Sequence, residues 1–356
     1  MLAAILTSAF TSEESISFDD YVIAFNKNYN FSEYVFRKSI FEKRIQEINE
    51  HNRGDHLYKQ GVNHMTDWTT EEFLVVSSSR RANRVGKLGA THVTSQKELP
   101  FEIDYRTQYP PILTNIKNQG NCGSCWAHSA VEAIESHWAI ATGNLHVLSQ
   151  QQLTSCTPNP DHCGGSGGCS GSVESLAFDY VKEAGGLVEE WLYPYTSYFG
   201  DSGTCKTIST FDVVAKLSGF VDVPKDDQNA LMDALAFKGP IAVSVDASHW
   251  SSYSGGIFDG CSYAKNITQN HAVQLVGYGH DVSLKKDYWI IRNSWGPLWG
   301  ENGYMRLLKT DKPECGWDTD THSGAACDGD PDEEWVCGMC GILSGATYPV
   351  VDVKQK

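Results

Sequence analysis

Residues 119–126 read Gln-Gly-Asn-Cys-Gly-Ser-Cys-Trp and place a thiol where a helix is about to begin. After Cys125, apolar residues recur at helical spacing, and Gly143 offers a stop signal. With Ser124 as the N-cap, Cys125 lies in the first turn, where unpaired backbone N–H groups and the helix dipole favour a thiolate. The thiolate is the reactive form of cysteine, so this segment predicts an enzyme with a cysteine nucleophile.

Two later segments supply the groups that such a nucleophile needs. His271 begins one apolar run, and Asn293 follows a second one. An imidazole pairs with the thiolate and protonates the leaving group, and a hydrogen-bonding group orients the imidazole. We expect His271 and Asn293 in these roles on buried strands, with Trp295 shielding their contact from water. Gln119 is expected to donate its side-chain N–H to the oxygen of a tetrahedral intermediate, together with the backbone N–H of Cys125.

In this order, the segments resemble those of papain-type cysteine endopeptidases, in particular the cathepsin L-like branch. The resemblance rests on Cys-Gly-Ser-Cys-Trp at 122–126, Asn-His-Ala at 270–272 and Asn-Ser-Trp-Gly at 293–296. It implies an α+β fold in which a helical left lobe carries the thiol and a β-barrel-like right lobe carries the imidazole, preceded by a small α-helical propeptide domain. It also implies protein or peptide substrates, extended between the lobes, and neither a cofactor nor a metal.

The N-terminal hundred residues resemble the inhibitory propeptide of the same family. Their pattern is helical and charged. The interrupted Glu-Arg-Phe-Asn-Ile-Asn signature matches Glu33, Arg37, Phe41, Ile48 and Asn52, with Arg44 in place of its first Asn. The Gly-x-Asn-x-Phe-x-Asp segment matches Gly61, Asn63 and Asp67, with Met65 in place of Phe. The chain is therefore expected to inhibit itself, and a solvated helical hairpin without that role is the alternative.

The sequence predicts four successive segments. Residues 1–12 are a possible short or truncated signal segment, because their apolar run is brief and has no basic residue before it. Residues 13–76 are the helical inhibitory propeptide, and 77–98 are an activation linker, which contains Ser, Arg and Gly without an apolar period. Residues 99–356 are the peptidase domain, since Leu99-Pro100 resembles the start of a mature enzyme. We expect the activating cleavage within several residues before Leu99.

The cysteine count favours an oxidising compartment. Eleven cysteines are too many for a reducing one, and the odd number suits five disulfides plus one free thiol, Cys125. The family pattern implies the pairs Cys122–Cys169, Cys156–Cys205 and Cys261–Cys340, and it leaves Cys163, Cys315, Cys327 and Cys337 without assigned partners. Glycosylation sequons begin at Asn30 and Asn266. We therefore expect the secretory pathway, with a lysosome or another acidic vesicle, or the outside of the cell, as the destination.

The charge distribution indicates which kinds of molecule this protein binds. The formal net charge is −16, with 12 Lys and Arg against 13 Asp and Glu before Leu99, and 16 against 31 from Leu99 onward. An acidic mature part argues against nucleic acid as a partner and suits an acidic vesicle. No stretch is long and apolar enough to span a membrane. We expect a monomer.

The resemblance also implies where a substrate lies. The strip from Cys169 to Ser172, with Gly123 beside it, is expected to bind substrate backbone; Gly171 leaves room there, and Ser172 replaces the family's second Gly. Trp295 is also expected to bind substrate. The second residue before the scissile bond, called P2 below, is expected to occupy a pocket of the enzyme. The pocket walls are Val173, Ala247, Ala272 and Gly345. These small walls favour Leu, Phe or Tyr at P2.

Several alternatives stay open at this point. Residues 311–334 are an acidic insertion relative to the family, expected as a disulfide-pinned surface loop, with a cation site as the alternative. The whole chain has two alternatives of other classes, a peptide ligase and a catalytically silent, disulfide-rich homologue. A third is zinc held by the two Cys-x-x-Cys pairs at 122–125 and 337–340, which leaves His271 and Asn293 without a purpose.

Overall fold

The structure is a computed structural model that describes residues 16–77, 89–209 and 212–353. The expected signal segment lies outside these ranges, as do linker residues 78–88. The helices are α1 (Phe18–Ala24), α2 (Phe31–Arg53), α3 (Thr70–Val76), α4 (Cys125–Thr142), α5 (Gln150–Cys156), α6 (Glu174–Ala184) and α7 (Gln228–Lys238). The strands are β1 (Tyr58–Gln60), β2 (Ala90–Thr91), β3 (Ile103–Asp104), β4 (Leu187–Val188), β5 (Val213–Ala215), β6 (Leu217–Asp222), β7 (Ile241–Val245), β8 (Tyr253–Phe258), β9 (His271–Asp281), β10 (Lys286–Arg292), β11 (Tyr304–Lys309), β12 (Cys315–Asp318), β13 (Glu334–Cys337) and β14 (Ala346–Val351).

Residues 16–77 form a small helical unit with a core of its own. The side chain of Asn30 caps α2 by accepting a hydrogen bond from the backbone N–H of Glu33, at 3.0 Å. Phe18 and Tyr21 of α1 pack against Phe41 of α2 and make an aromatic core. A helical hairpin of this length, with its own buried aromatic side chains, is the small domain that the sequence predicts.

A buried carboxylate ties this helical unit together. Asp67 is fully buried and accepts hydrogen bonds from the hydroxyls of Tyr21, at 2.9 Å, and Tyr29. The ammonium of Lys27 lies 3.1 Å from the same carboxylate. A buried carboxylate is stable only when donors surround it, and here three side chains from α1 and its following turn supply them.

Replacing Asp67 with Ala is expected to destabilise the helical unit by about 3–5 kcal/mol, because the buried partners of a lost charge keep their desolvation cost. Urea unfolding of the full chain, followed by circular dichroism at a helix-sensitive wavelength, measures the change. The control is Asp55→Ala, since Asp55 is an exposed acidic residue of the same unit. Equal unfolding midpoints for the two variants would show that the buried carboxylate does not hold the unit together.

The left lobe is built around α4, which starts at Cys125. Side chains of α4, including Trp126 and Ile134, share a core with Phe178 of α6. Gly143 ends α4 with a left-handed φ of 75°, as the sequence predicts. The expectation that Ser124 caps the helix is only half right, because its side chain makes no capping hydrogen bond.

The right lobe is an open sheet rather than a closed barrel. The strand order is β1-β8-β11-β10-β9-β7-β14-β6-β2, with β3 paired to β9. The two ends of this path, β1 and β2, come from the segments that precede Leu99. The sheet therefore has two edges within the described residues, which corrects the barrel-like expectation. Its core holds four indoles, those of Trp250, Trp289, Trp295 and Trp299.

Five disulfides and one free cysteine account for the eleven cysteines. Three are the pairs that the family pattern implies, Cys122–Cys169, Cys156–Cys205 and Cys261–Cys340. The other two, which the sequence left unassigned, are Cys163–Cys327 and Cys315–Cys337. Both involve the acidic insertion, whose base is the antiparallel pair β12–β13. The free thiol is that of Cys125, and it is buried.

The structure locates the two predicted glycosylation sites. Asn30 is exposed at the start of α2, while the side chain of Asn266 is bonded to Thr268 and to Thr319 of the insertion. Glycosylation at both sequons stays a prediction. In the part of the chain that the structure describes, no helix combines the length and the apolar character needed to cross a bilayer.

Candidate active site

The fold places Cys125 as the first residue of α4, with its side chain fully buried. The loop before it is held from two sides: Cys122 is bonded to Cys169, and the backbone N–H of Gly123 donates to the carbonyl of Cys169 at 2.9 Å. Gly123 and Ser170 also form a parallel bridge. The thiol thus lies at the N-terminal end of an 18-residue helix, where the helix dipole favours negative charge.

His271 and Asn293 meet across two neighbouring strands. His271 begins β9, and Asn293 follows the last residue of β10, its antiparallel neighbour. Nε2–H of His271 donates to Oδ1 of Asn293 at 2.8 Å. This hydrogen bond leaves Nδ1 as the ring atom with a free lone pair, and Nδ1 makes no hydrogen bond with the described residues. The ring stacks on Trp295, with centroids 4.7 Å apart, so the indole covers the contact as the sequence predicts.

Burial controls the protonation of His271. The side chain is fully buried, and this lowers the pKa of His271 to about 4, against the smaller upward effect of the Asn293 hydrogen bond. The imidazole is therefore neutral in this state at neutral pH. Uncovering the site would restore solvent to the ring and allow it to carry a proton more readily.

Gln119 makes three hydrogen bonds that fix its amide. Its Oε1 accepts from the hydroxyl of Ser294 at 2.7 Å. Its Nε2 donates to the carbonyl of Cys122 at 2.8 Å and to the carbonyl of Val76 at 3.0 Å. The side-chain N–H of Gln119, which we predicted to bind an oxyanion, therefore donates to a carbonyl oxygen of the N-terminal unit.

The N-terminal unit covers this site with α3. Phe73 packs edge-on against Trp295, with ring centroids 5.4 Å apart, and Val76 is buried. The placement of α3 depends on Arg37 of α2, which forms a salt bridge with Glu72 and donates to the carbonyl of Asp67 at 3.1 Å. The signature arginine therefore orients the helix that lies over the catalytic candidates.

Of the other signature residues, Asn63 and Gly61 bind the right lobe directly, and the rest make contacts within the N-terminal unit. The side chain of Asn63 donates to the carbonyl of Ser251 at 2.7 Å, and the backbone N–H of Gly61 donates to the carbonyl of Ser252 at 2.8 Å. Asn52 bonds both backbone groups of Gln60 in β1, which pairs with β8. Glu33 contacts Arg37, Phe41 lies in the aromatic core, and Ile48 is buried.

The predicted P2 pocket residues fall into two groups. Ala272 pairs with Ser244 of β7, and the backbone N–H of Ser244 donates to the carbonyl of Gly345 at 2.8 Å. Ala247 lies just beyond the end of β7, so these three small residues surround one strand end. Val173 belongs to the left lobe and packs instead with the Cys163–Cys327 disulfide. Gly171 adopts a positive φ of 95°, and Ser172 is buried.

Four contributors to the site were missed from the sequence: Phe73, Val76, Ser294 and Tyr195. Tyr195 bonds both the carbonyl of Gln119, at 2.9 Å, and the hydroxyl of Ser124, at 2.7 Å. The start of α3 had a readable signal, because Thr69 and Glu72 make a capping box. Nothing local in the sequence indicates that its far end reaches Gln119.

Comparison with known proteins agrees with this arrangement. Residues 99–325 match the papain family of cysteine proteases, and residues 18–73 match the cathepsin propeptide inhibitor domain (I29). Procathepsin L of Mus musculus is 36% identical over 98% of this chain and 96% of its own length. Cathepsin S of Bos taurus is 36% identical over 80% of this chain and 84% of its own. The solved structure of digestive procathepsin L 3 from the larval midgut of Tenebrio molitor superposes with a TM-score of 0.76 at 32% identity, covering 95% of this chain and all of the other.

The chain belongs to the papain family of cysteine proteases. It is a cysteine endopeptidase in its zymogen form, and residues 18–73 are its propeptide inhibitor domain.

Proposed function

We propose that Cys125 is the nucleophile of this endopeptidase and His271 its acid–base partner. His271 Nδ1 takes the thiol proton of Cys125. The thiolate sulfur then attacks the carbonyl carbon of the scissile peptide bond, and the imidazolium gives that proton to the departing amine as the C–N bond breaks. Water then attacks the acyl-enzyme, loses a proton to Nδ1 and releases the acid product with the thiolate restored. Asn293 is a positioning residue, because its hydrogen bond to Nε2 holds the ring with Nδ1 free.

Gln119 is proposed to stabilise the oxyanion, and the Val76 contact is the observation that carries the mechanism. The Gln119 amide donates to the backbone carbonyl oxygen of Val76, and a backbone carbonyl is the group that a substrate presents to an oxyanion donor. The propeptide thus satisfies the oxyanion donor with a carbonyl and covers Trp295 with Phe73. Inhibition then consists of occupying the site with groups like those of a substrate.

The finer assignments are part of the same proposal. Bulky apolar side chains are proposed at P2, because Ala247, Ala272 and Gly345 leave room at the end of β7. The activating cleavage is placed before Leu99, and the mature enzyme from about Leu99 to the C-terminus. A lysosome-like vesicle or the extracellular space is the proposed destination, supported by five disulfides.

The test shifts the full chain from neutral pH to about 4.5 with mild reductant and follows its mass and its cleavage of a Phe-Arg fluorogenic peptide. We expect about a hundred residues to be lost as activity grows. The Cys125→Ser chain is expected to show neither change, since a hydroxyl is not activated by this pair. If the Cys125→Ser chain, freed of its propeptide by an added protease, hydrolysed the peptide as fast as wild type, the proposed nucleophile would be wrong.

A further inference from the structure

One disulfide joins the two lobes of the enzyme. Cys163 lies in the glycine-rich loop between α5 and α6 of the left lobe, and Cys327 lies in the acidic insertion between β12 and β13. Both cysteines are buried. Papain-like lobes hold a substrate between them, so a covalent link from one lobe to the other limits how that cleft is shaped near the link.

Hydrogen bonds on both sides of the disulfide also connect the acidic insertion to the left lobe. The backbone N–H of Asp328 donates to the carbonyl of Asp161 at 2.9 Å, and that of Gly164 donates to the carbonyl of Ala326 at 3.3 Å. The imidazole of His162 lies 2.7 Å from the carboxylate of Asp328. The insertion is therefore fixed to the left lobe at three consecutive residues, 326–328, rather than lying free on the surface.

The link lies beside the residues proposed to hold substrate. Val173, which the sequence predicts in the wall of the P2 pocket, packs against Cys163 and Cys327. A cavity of about 520 Å³ opens next to the backbone-binding strip, between Ser166 and Ser170 of the left lobe and His322, Ala326 and Asp328 of the insertion. Successive side chains of an extended substrate point to opposite sides, so the residue before P2 points away from the P2 pocket.

We propose that this cavity is the subsite for P3, the third residue before the scissile bond, and that Asp328 makes it select a basic side chain. The inference rests on the proposed function of the Cys125 site. Within the described residues that line the cavity, Asp328 is the one carboxylate. The remaining lining groups are hydroxyls, imidazoles and short side chains, which suit a long polar side chain better than an apolar one.

The strength of the selection follows from the exposure of Asp328. Its side chain is 72% exposed, so an ion pair with a substrate ammonium is screened by water and changes rates by about two- to fivefold. His162 competes for the same carboxylate. Replacing His162 with Gln is therefore expected to increase the preference for a basic side chain.

The experiment compares acetylated peptides of the form X-Leu-Arg-fluorophore, with Lys or Gln as X, at a pH near 7 where ordinary imidazoles are mostly neutral. The ratio of kcat/KM for Lys over Gln is expected to be about two to five for wild type and to fall to one for Asp328→Asn. The matched control is Glu333→Gln, because Glu333 is an exposed carboxylate of the same insertion that does not line the cavity. The control variant should keep the wild-type ratio of kcat/KM for Lys over Gln.

A second variant tests the link itself. Cys163→Ser with Cys327→Ser is expected to lower the Lys-over-Gln ratio while the preference for Leu over Ala at P2 remains, which also shows that the variant is folded.

An Asp328→Asn enzyme with an undiminished ratio would overturn the P3 assignment. If wild type cleaves the peptides with a ratio of one, the inference alone fails; if wild type freed of its propeptide cleaves none, the proposed function fails first.

Discussion

Replacing His271 with Ala is expected to lower kcat of the propeptide-free enzyme by about four to six orders of magnitude, as removal of the base does in other nucleophile–histidine hydrolases. The thiol loses the imidazole that stabilises its anion, and the departing amine loses its proton donor. Among the described residues, no other side chain is hydrogen-bonded to Asn293. The measurement is the turnover of a Phe-Arg peptide after a trace of added protease has removed the propeptide and has itself been inhibited.

The matched control lies on the same strand. His280 is near the other end of β9 and pairs with Asp287 at the surface, so His280→Ala should keep nearly full activity. A second readout separates a chemical role from a structural one: wild-type Cys125 should react with iodoacetamide at acidic pH, and the His271→Ala enzyme should react only as the pH rises. A His271→Ala enzyme that retained a tenth of the wild-type kcat would exclude His271 as the acid–base group.

The parts of the fold that the sequence predicts are those set by short-range patterns. The helix after Ser124 follows from apolar spacing and ends at Gly143 because a left-handed residue is needed there. The strands that carry His271 and precede Asn293 follow from continuous apolar runs, since strands buried on both faces carry few polar residues. The family match is what joins them into a single site, because no local rule brings residues 119, 125 and 271 together.

The parts that the sequence does not predict depend on contacts between distant residues. The pairing of Cys163 with Cys327 depends on where a long insertion folds, and four unassigned cysteines allow three pairings. Ser124 is a residue type that often caps helices, but its hydroxyl is hydrogen-bonded to the hydroxyl of Tyr195, 71 residues later in the chain, and makes no capping bond. Both edge strands of the right-lobe sheet, β1 and β2, come from the segments before Leu99. In each case, the deciding partner is far away in the sequence.

Acidification from pH 7 to pH 4 is expected to destabilise the zymogen by several kcal/mol, because burial holds four imidazoles neutral. Burial lowers the pKa of His128 to about 3, and those of His64, His137 and His271 to about 4. In the unfolded chain each ring takes up a proton near pH 6.5. The unfolded state therefore binds more protons between pH 6.5 and pH 4, and the free energy of unfolding falls as the pH falls through that window.

Each of these histidines contributes about 3 kcal/mol to the loss when the pH reaches 4. Glu132 acts in the opposite direction: burial raises its pKa to about 7, against the charge of Arg292, so the native state takes up this proton first. Acid then stabilises the fold through Glu132 while it destabilises the fold through the imidazoles. Because four imidazoles oppose one carboxyl group, we expect the net effect of acid to be destabilising.

Urea unfolding of the Cys125→Ser chain at pH 7, 6, 5 and 4 measures this effect without self-cleavage. His137 bonds the carbonyl of Pro240 at 2.9 Å, and Gln in its place keeps a donor but cannot take up the proton. The loss of stability between pH 7 and pH 4 should be about 3 kcal/mol smaller in His137→Gln. His322→Gln, at a half-exposed imidazole, should leave the loss unchanged. If both variants followed the parent curve, burial of His137 would not be a source of acid sensitivity, and acid activation would have to depend on other groups.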